Sequence, residues 1–395
     1  MDNTDIRPAD AERKRADLSM EKERLGVYIH IPFCVRKCAY CDFLSAPASR
    51  EIMDRYVEAL KQEIRSAEEL AERYRVSTIF FGGGTPSLLE GQKLAEILET
   101  LSQVMPVEAG AEITVECNPG TLTEDKLEVY RMAGVNRLSI GLQSADDREL
   151  RLLGRIHTFE EFLESYELAR KKGFGNLNVD LMSALPGQTR EGWLRTLEKT
   201  AELEPEHISA YSLIIEEGTP FYERYREGAS GYRDLPDEDT DRLMYEDTKR
   251  FLGERGYERY EISNYARPGF ACRHNLSYWE RTDYKGFGIG AASLLRNVRY
   301  KNSTDLAAYL DREFSYESVS ALSRKDILEE TMFLGLRKME GVVLTEQMKQ
   351  IYGELLNKLS QEGVLGREGN RIFLTDRGID VSNYVLSEFL LDEEI

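Results

Sequence analysis

The stretch Gly26-Val-Tyr-Ile-His-Ile-Pro-Phe-Cys-Val-Arg-Lys-Cys-Ala-Tyr-Cys-Asp-Phe43 joins a short apolar run to three closely spaced cysteines. The run has the length and side-chain types of a buried strand. The cysteines after it, Cys34, Cys38 and Cys41, have the spacing C-x3-C-x2-C. Three thiolates can hold a [4Fe–4S] cluster and leave the fourth iron open to a small molecule. The stretch therefore predicts a strand whose carboxyl end carries an iron–sulfur cluster.

Two other uses of these cysteines agree less well with the sequence. A structural zinc site normally has four protein ligands, and no second cysteine pair follows the first three. Disulfides belong to secreted proteins, whereas residues 1–25 mix acidic and basic side chains and contain no apolar signal segment. Cys117 and Cys272 are isolated, and we expect them to be buried and inert. These features predict a protein of a reducing compartment, the cytoplasm.

Composition limits the partners of the chain. Its 395 residues are 41% hydrophobic, which is enough for one large domain and a small one. No run approaches about eighteen apolar residues, so we expect no transmembrane segment. The formal net charge of −19 disfavours broad attraction to nucleic acid or to an anionic membrane surface, while a local basic patch stays compatible with it. We therefore predict a soluble protein that binds no nucleic acid.

Short apolar segments alternate with longer helical patterns in the first half of the chain. Met53, Tyr56, Val57 and Leu60, for example, recur at three- and four-residue intervals and predict a helix over 51–74. Six βα units indicate a parallel sheet, either an open, partial (β/α)6 barrel or a doubly wound sheet, with the site at the strand carboxyl ends. The predicted strands are 26–31, 77–82, 112–117, 136–141, 175–181 and 207–213.

Loops after these strands carry glycines and polar side chains. The second strand runs into Gly82-Gly-Gly-Thr-Pro-Ser87, where glycine lets the backbone approach a ligand closely. A carboxylate can accept hydrogen bonds from ribose hydroxyls or an ammonium group, and an arginine can bind a carboxylate through two bonds. Polar side chains also occur at later strand ends, at Glu116, Gln143, Arg155 and Asp180. As a series they predict one cleft, whereas we expect His157 and His207 to be structural.

The cysteine spacing resembles that of the radical S-adenosylmethionine (SAM) superfamily, in which the open iron binds the amino and carboxylate groups of SAM. The resemblance implies that Gly83, Gly84 and Thr85 bind the amino group of SAM. It also favours the partial barrel over the doubly wound sheet. Further SAM contacts that it implies are Tyr28, Glu116, Gln143, Arg155 and Asp180.

Five longer motifs, which lie at residues 28–34, 82–87, 185–189, 260–265 and 274–279, resemble those of the HemW group of heme chaperones. This group is similar to the oxygen-independent coproporphyrinogen III dehydrogenase, HemN, and the resemblance covers roughly residues 25 to 390. The dehydrogenase has a further cysteine two positions after the third, where this chain has Phe43. In addition, His274-Asn-Leu-Ser-Tyr-Trp279 matches the H-N-x-x-Y-W motif associated with heme binding in the chaperones. Both features favour the chaperone.

The resemblance implies a heme site at His274, Tyr278 and Trp279, with Cys272 and Arg273 as neighbours. Imidazole is a good axial ligand for heme iron, and aromatic side chains offer apolar surface to the macrocycle. A histidine among aromatic residues is also often a packing residue. The sequence therefore leaves the axial ligand open.

Two functions follow from the resemblance. In the first, the protein holds a SAM-ligated [4Fe–4S] cluster, binds heme and delivers it to heme-accepting respiratory membrane proteins, associating with the membrane through them. In the second, it is an enzyme in which SAM-derived radical chemistry leads to oxidative decarboxylation of coproporphyrinogen III. The sequence leaves open whether SAM is cleaved and whether the chain forms a dimer.

The βα rhythm stops after residue 300. Residues 325–338 and 345–362 predict helices, and 363–374 predict a hairpin that turns at Gly369-Asn370, followed by a final helix. These elements resemble the small winged-helix-like C-terminal domain of the same family, for which we expect a packing or substrate-covering role. We predict a mobile lead over 1–25, a radical SAM core with the heme-motif extension over 26–310, and the C-terminal domain over 320–395.

Overall fold

The computed structural model describes residues 22–392. The predicted mobile lead lies outside the described residues up to position 21. The last three residues of the predicted lead, 23–25, are not mobile but belong to the first strand, which begins at Glu23. Burial explains this start, since Leu25 is fully enclosed in the main hydrophobic core and continues the apolar face of the strand.

Six parallel strands form the centre of the molecule, in the order of the sequence. They are β1 (Glu23–Ile31), β2 (Tyr74–Gly83), β3 (Val107–Cys117), β4 (Arg137–Gln143), β5 (Leu177–Ser183) and β6 (His207–Ser212). The first and the sixth of these strands are not paired with each other, so the barrel is open. This confirms the α/β class and the partial (β/α)6 barrel, and all six predicted strands are present.

Helices follow the strands and cover their outer face. They are α1 (Arg50–Ser66), α2 (Gly91–Val104), α3 (Glu124–Met132), α4 (Asp147–Leu152), α5 (Phe159–Lys171) and α6 (Arg190–Ala201). The first helix begins at the N-cap Ser49, whose side chain accepts a hydrogen bond from the Ile52 amide. It ends at Ser66, earlier than the predicted 51–74, because residues 68–72 form a separate 3-10 turn before β2 starts.

The two faces of the central strands differ in polarity. In β1, Val27, Ile29 and Ile31 are fully buried in the main hydrophobic core, while Tyr28 and His30 point to the opposite face. This period of two places one set of side chains against the helices and the other inside the barrel. The interior set is rich in polar and aromatic residues, which is unusual for packing alone and marks the barrel interior as the place for the site.

Further strands extend both edges of the sheet, and the sequence analysis did not predict them. The segments after β6 are α7 (Pro220–Tyr225), α8 (Glu238–Gly253), β7 (Glu258–Glu261), β8 (Asn264–Ala266), α9 (Arg273–Trp279), β9 (Tyr284–Phe287), β10 (Ala292–Leu295), β11 (Val298–Asn302), α10 (Leu306–Leu310) and β12 (Tyr316–Ala321). Strand β9 pairs with β1 in parallel, and β8 pairs with β6 in antiparallel orientation. The described part of the sheet thus has twelve strands.

The last segment has its own hydrophobic core, built from buried side chains between Leu328 and Phe389. Its elements are α11 (Arg324–Gly335), β13 (Val342–Val343), α12 (Glu346–Gln361), β14 (Leu365–Glu368), β15 (Arg371–Leu374), α13 (Asp376–Asp380) and α14 (Ser382–Ser387). The predicted hairpin is confirmed, with Gly369 at a positive φ of 60° in its turn. The predicted final helix is instead two short helices that Val381 separates. No helix in the part of the chain described is long and apolar enough to cross a membrane.

Candidate cluster and SAM site at the barrel mouth

The three predicted cysteine ligands lie in one loop directly after β1, at the carboxyl end of the barrel strands. The loop is held at its ends and in its middle, because the Cys34 amide donates to the Ala46 carbonyl over 3.2 Å and the Ala39 amide donates to the Leu153 carbonyl over 3.0 Å. The thiols are free, and Cys38 and Cys41 are partly exposed. The loop therefore presents thiols at the barrel mouth with a backbone that is already held in place.

The arrangement of the thiols suits a cluster better than a single ion. Across residues 22–392, no three His, Cys, Asp or Glu side chains converge as a group that could hold one metal ion. A [4Fe–4S] cluster binds each thiolate at a different iron, so its ligands need not meet at one point, as those of tetrahedral zinc must. Burial raises the pKa of Cys34 and of Cys41, and Cys38 adds to both shifts. Arg155 places Nη1 3.9 Å from the Cys38 sulfur.

The glycine loop after β2 is hydrogen-bonded to the start of the cysteine loop. The Gly84 amide donates to the Ile31 carbonyl over 2.8 Å, and the Thr85 amide donates to the Phe33 carbonyl over 2.7 Å. A Cβ on Gly84 would lie 2.5 Å from the Phe33 oxygen, and Gly83 has a φ of +110°. Both positions thus need glycine. The predicted trio Gly83, Gly84 and Thr85 therefore lies directly beside the cysteine loop.

The polar residues predicted at later strand ends do lie at one end of the barrel. Glu116 accepts a hydrogen bond from the Gly83 amide over 3.3 Å. Burial and the neighbouring Asp180 raise its pKa to about 8. Asp180 in turn accepts hydrogen bonds from Ser139 over 3.0 Å and from Asn178 over 2.7 Å. Near neutral pH this carboxyl group is therefore largely protonated, and a nearby cation would favour its ionised form.

Arg155 and Gln143 complete this rim. Arg155 donates to the Gly141 carbonyl over 2.6 Å and to Asn118 over 3.0 Å. Gln143, at a positive φ of 72°, accepts a hydrogen bond from the Tyr211 hydroxyl over 3.1 Å. The ends of both side chains lie next to Gly141, where an added Cβ would contact each of them.

The sequence analysis missed two residues of this rim. Asn118 bridges two predicted residues, because it donates to the Thr85 hydroxyl over 3.0 Å and accepts from Arg155. His30 lies between the Tyr28 hydroxyl, 3.1 Å from Nδ1, and the Leu44 carbonyl, 2.9 Å from Nε2, and so connects the barrel interior to the cysteine loop. Asn118 could have been found by the same rule as Glu116, a polar residue immediately after a strand, and His30 by the period of two within β1.

The two histidines predicted to be structural are buried in the interior. His207 contacts Asn178 through Nδ1 over 2.6 Å and the Tyr260 hydroxyl through Nε2 over 2.7 Å. Burial, with a contribution from Arg155, lowers the pKa of His157 to about 3. Burial also lowers the pKa of His207 well below its usual value, so both rings are neutral near pH 7, and His207 has a partner at each nitrogen.

The predicted heme motif lies deeper inside the barrel than the glycine loop. Helix α9 carries it and begins where Glu112 of β3 accepts the Arg273 and His274 amides, each over 3.0 Å. His274 is almost completely buried, its ring stacks on Phe80, and the Thr78 hydroxyl lies 2.8 Å from Nδ1. Phe80 also lies beside the glycine loop, since a Cβ on Gly82 would be 3.1 Å from its Cε1, so one aromatic ring separates His274 from that loop.

Both ring nitrogens of His274 are in hydrogen bonds, since the Tyr278 hydroxyl lies 2.9 Å from Nε2. Trp279 faces outward to the C-terminal elements, where the Arg337 guanidinium lies 4.5 Å from the centre of its ring. The predicted neighbour Cys272 is fully buried, with its thiol 3.6 Å from a Glu112 oxygen. The structure thus brings the motif residues together, but ligation of iron by His274 would require the hydrogen bond at the ligating nitrogen to break, for Nε2 the bond to Tyr278.

Comparisons with known proteins agree with this architecture. A family profile described as the Radical SAM superfamily matches residues 28–200, and one described as the HemN C-terminal domain matches residues 322–381. A solved structure described as coproporphyrinogen III oxidase (HemN) from Escherichia coli, a radical SAM enzyme, matches with a TM-score of 0.78 and 25% identity. The match covers 95% of this chain and 92% of that chain. The chain is therefore a radical SAM protein with a HemN-type C-terminal segment.

Curated relatives narrow this class. The protein described as Heme chaperone HemW from Lactococcus lactis is 39% identical over 93% of this chain and 98% of its own length. The Bacillus subtilis protein of the same description is 35% identical over 92% of this chain and 99% of its own length. The Escherichia coli protein of that description is 44% identical over 68% of this chain and 69% of its own. The chain belongs to the HemW family.

Proposed function

We propose that this chain is a heme chaperone that carries a SAM-ligated [4Fe–4S] cluster, binds heme and delivers it to acceptor proteins. The observation that carries the proposal is the nearly full-length similarity to relatives described as Heme chaperone HemW. Phe43 supports it, because the dehydrogenase pattern requires a further cysteine at this position.

In this proposal Cys34, Cys38 and Cys41 hold the cluster. The donor set fits, with three free thiols in one fixed loop and the other two cysteines buried elsewhere. When bound, the cluster and SAM supply one-electron chemistry, and the protein positions them and excludes water. Arg155 offsets negative charge beside Cys38, while its bonds to Gly141 and Asn118 fix its direction.

The SAM contacts are assigned to the rim of the barrel mouth. Glu116 accepts hydrogen bonds from the cationic part of SAM, whose charge offsets the burial and the Asp180 repulsion that raise the pKa of this carboxyl group. The glycine loop lets SAM approach the backbone, and Asn118 positions both Thr85 and Arg155. The full set proposed for SAM is Tyr28, Gly83, Gly84, Thr85, Glu116, Gln143, Arg155 and Asp180.

The assignment of heme to His274, Tyr278 and Trp279 stays a prediction from the resemblance. A ligand role for His274 predicts that His274→Ala weakens heme binding while the iron–sulfur absorbance stays intact. Equal heme affinity in the variant would exclude that role. The variant must be assayed as folded protein, because the ring lies in the interior of the barrel.

Acceptors, location and domain limits complete the proposal. We infer heme-accepting respiratory membrane proteins as acceptors and a cytoplasmic location, with contact to the membrane through these partners. The division into a core over 26–310 and a C-terminal domain over 320–395 is supported by the separate hydrophobic core after Leu328. However, β12 extends the central sheet to Ala321, so a limit near 322 fits the sheet better.

A second candidate function is oxidative decarboxylation of coproporphyrinogen III, which the similarity to HemN over 95% of the chain favours. One anaerobic experiment separates the two functions. The cluster is reconstituted, its occupancy is confirmed, and SAM, a reductant and coproporphyrinogen III are added. Multiple turnovers to protoporphyrinogen by mass spectrometry would establish the dehydrogenase. No product from a fully loaded cluster, together with saturable heme binding and transfer to an apo-acceptor, is the result we expect.

A further inference from the structure

A chain of polar side chains crosses the barrel interior from helix α9 to the proposed SAM site. It begins at Cys272, the N-cap residue of α9, whose amide donates to the Tyr260 hydroxyl over 3.2 Å. This hydroxyl lies 2.7 Å from Nε2 of His207, and Nδ1 of the same ring lies 2.6 Å from the side-chain oxygen of Asn178. Asn178 in turn donates to Asp180 over 2.7 Å. Four hydrogen bonds thus connect the start of the motif helix with a carboxylate at the barrel mouth.

The direction of each hydrogen bond follows from the donors and acceptors present. Asn178 uses both of its amide hydrogens, because it donates to Asp180 and also to the Ser139 hydroxyl over 2.7 Å. Its oxygen therefore faces His207, and Nδ1 of that ring must carry a hydrogen. Burial lowers the pKa of His207 well below its usual value, so the ring is neutral. Nε2 then has no hydrogen and accepts the one of the Tyr260 hydroxyl.

Both ends of the chain agree with this direction. The Cys272 amide can only donate, which leaves the single hydrogen of the Tyr260 hydroxyl for the imidazole. At the other end, each carboxylate oxygen of Asp180 receives one donor, Asn178 on Oδ1 and the Ser139 hydroxyl on Oδ2. A neutral imidazole with its hydrogen on Nδ1 is therefore the form that satisfies every group in the chain.

The chain lies where water cannot replace its bonds. His207 is fully buried and Asn178 is 1% exposed, and the two residues pair across β6 and β5. Asp180 follows Asn178 by two residues in β5, so both side chains point to the same face of the strand. The carboxylate that they hold affects the site directly, because burial and Asp180 together raise the pKa of Glu116 to about 8.

We propose that His207 is a positioning residue for the proposed SAM site and acts through Asn178 to hold the Asp180 carboxylate in one orientation. Tyr260 donates to Nε2, favours the same tautomer and joins the chain to the start of α9. The proposal rests on the function proposed above, because it takes Asp180 as a SAM contact. It adds His207, Asn178 and Tyr260 to the residues on which SAM binding depends.

The tautomer of His207 can be measured in the folded protein. The chain has four histidines, so nitrogen-15 labelling of histidine alone gives few ring signals in a magnetic resonance spectrum. The signals that disappear in His207→Gln belong to this ring. We expect the form with hydrogen on Nδ1 in the wild type. Hydrogen on Nε2, or a charged ring near pH 7, would reverse the chain and overturn the proposal.

Calorimetric titration of the cluster-loaded protein with SAM tests the positioning itself. Asn178→Leu removes a hydrogen bond to the charged Asp180 and should weaken SAM binding about tenfold. His207→Gln has no N–H at the Nδ1 position and should weaken SAM binding about threefold, the effect of one neutral hydrogen bond. His207→Asn places its amide close to the Nδ1 position and should restore most of that loss.

Tyr257→Phe is the matched control, because it removes a buried hydrogen bond beside the start of β6 that lies outside the chain. The Tyr257 hydroxyl donates to the Pro205 carbonyl over 2.6 Å. Urea midpoints show that each variant is folded, and Tyr257→Phe should bind SAM as the wild type does. Equal SAM affinity in Tyr257→Phe, His207→Gln and His207→Asn would show that His207 only stabilises the barrel, and would overturn the proposal.

Failure of this proposal differs from failure of the proposed function. Absence of SAM binding by the wild type with a fully loaded cluster would refute the proposed function. Tight SAM binding by the wild type that is the same in Asn178→Leu and His207→Gln would refute the positioning role alone.

Discussion

Gly84→Ala should separate the two loops that build the cluster site. A Cβ at this position would lie 2.5 Å from the Phe33 carbonyl oxygen, 2.8 Å from its carbonyl carbon and 2.9 Å from its amide nitrogen. Ordinary contact begins at 3.4 Å, so the backbone at Phe33 must move by about 0.9 Å. Backbone cannot yield as the end of a flexible side chain does, and Phe33 directly precedes the first cysteine.

We expect this displacement to cost about 1–3 kcal/mol, the range for overpacked interiors. It also strains the hydrogen bonds from the Gly84 and Thr85 amides to the start of the cysteine loop. The assay is iron and sulfide per chain after anaerobic reconstitution, combined with the urea midpoint of unfolding. We expect both to fall in Gly84→Ala.

Gly175→Ala is the matched control for this experiment. It lies just before β5, has no heavy atom within 4 Å of the added Cβ, and should be neutral or slightly stabilising. If Gly84→Ala had the same iron content and urea midpoint as Gly175→Ala, the claim that close contact between the glycine loop and the cysteine loop requires glycine at position 84 would be refuted.

Three further predictions follow from the site and the barrel interior. Cys38→Ser should abolish the cluster, whereas Cys117→Ser, at a thiol buried elsewhere, should keep it; a Cys38→Ser protein that still holds four irons per chain would contradict the thiolate assignment. Thr78→Val leaves the His274 Nδ1 without its partner and should lower the free energy of unfolding by about 1–3 kcal/mol, measured by urea denaturation; an unchanged midpoint would show that this bond contributes nothing. Burial and Asp180 raise the pKa of Glu116 from 4.5 to about 8. Between these two pH values the folded protein keeps a proton on Glu116 that the unfolded chain has released, so the free energy of unfolding falls as the pH rises from 4.5 to about 8. Glu116→Gln should remove this fall, so the urea midpoint of the variant relative to wild type should rise between about pH 5 and pH 8. If the urea midpoints of the two proteins changed with pH in parallel, the raised pKa of Glu116 would be contradicted.

Local patterns in the sequence were enough to find much of the site. The six central strands could be predicted because each is a short apolar segment bounded by turns, and the glycines and carboxylates follow these strands directly. Strands β7 to β12 were missed because they are short, and their pairing partners are remote in sequence. Strand β9, for example, pairs with β1, more than 250 residues earlier. Such pairing depends on contacts that no local pattern records.

The sequence by itself determined the chemistry of the cysteine loop, since three cysteines within eight residues lie in one loop wherever that loop is placed. It also determined the central sheet, through the alternation of apolar strands and amphipathic helices. Only the tertiary structure decided which polar residues meet, because Asn118, Arg155 and Cys38 come from three different loops. It likewise decided that the His274 motif packs inside the barrel against Thr78 and Phe80. The distance between two segments depends on how the sheet curves and on what packs inside it, and neither is encoded in the spacing of residues along the chain.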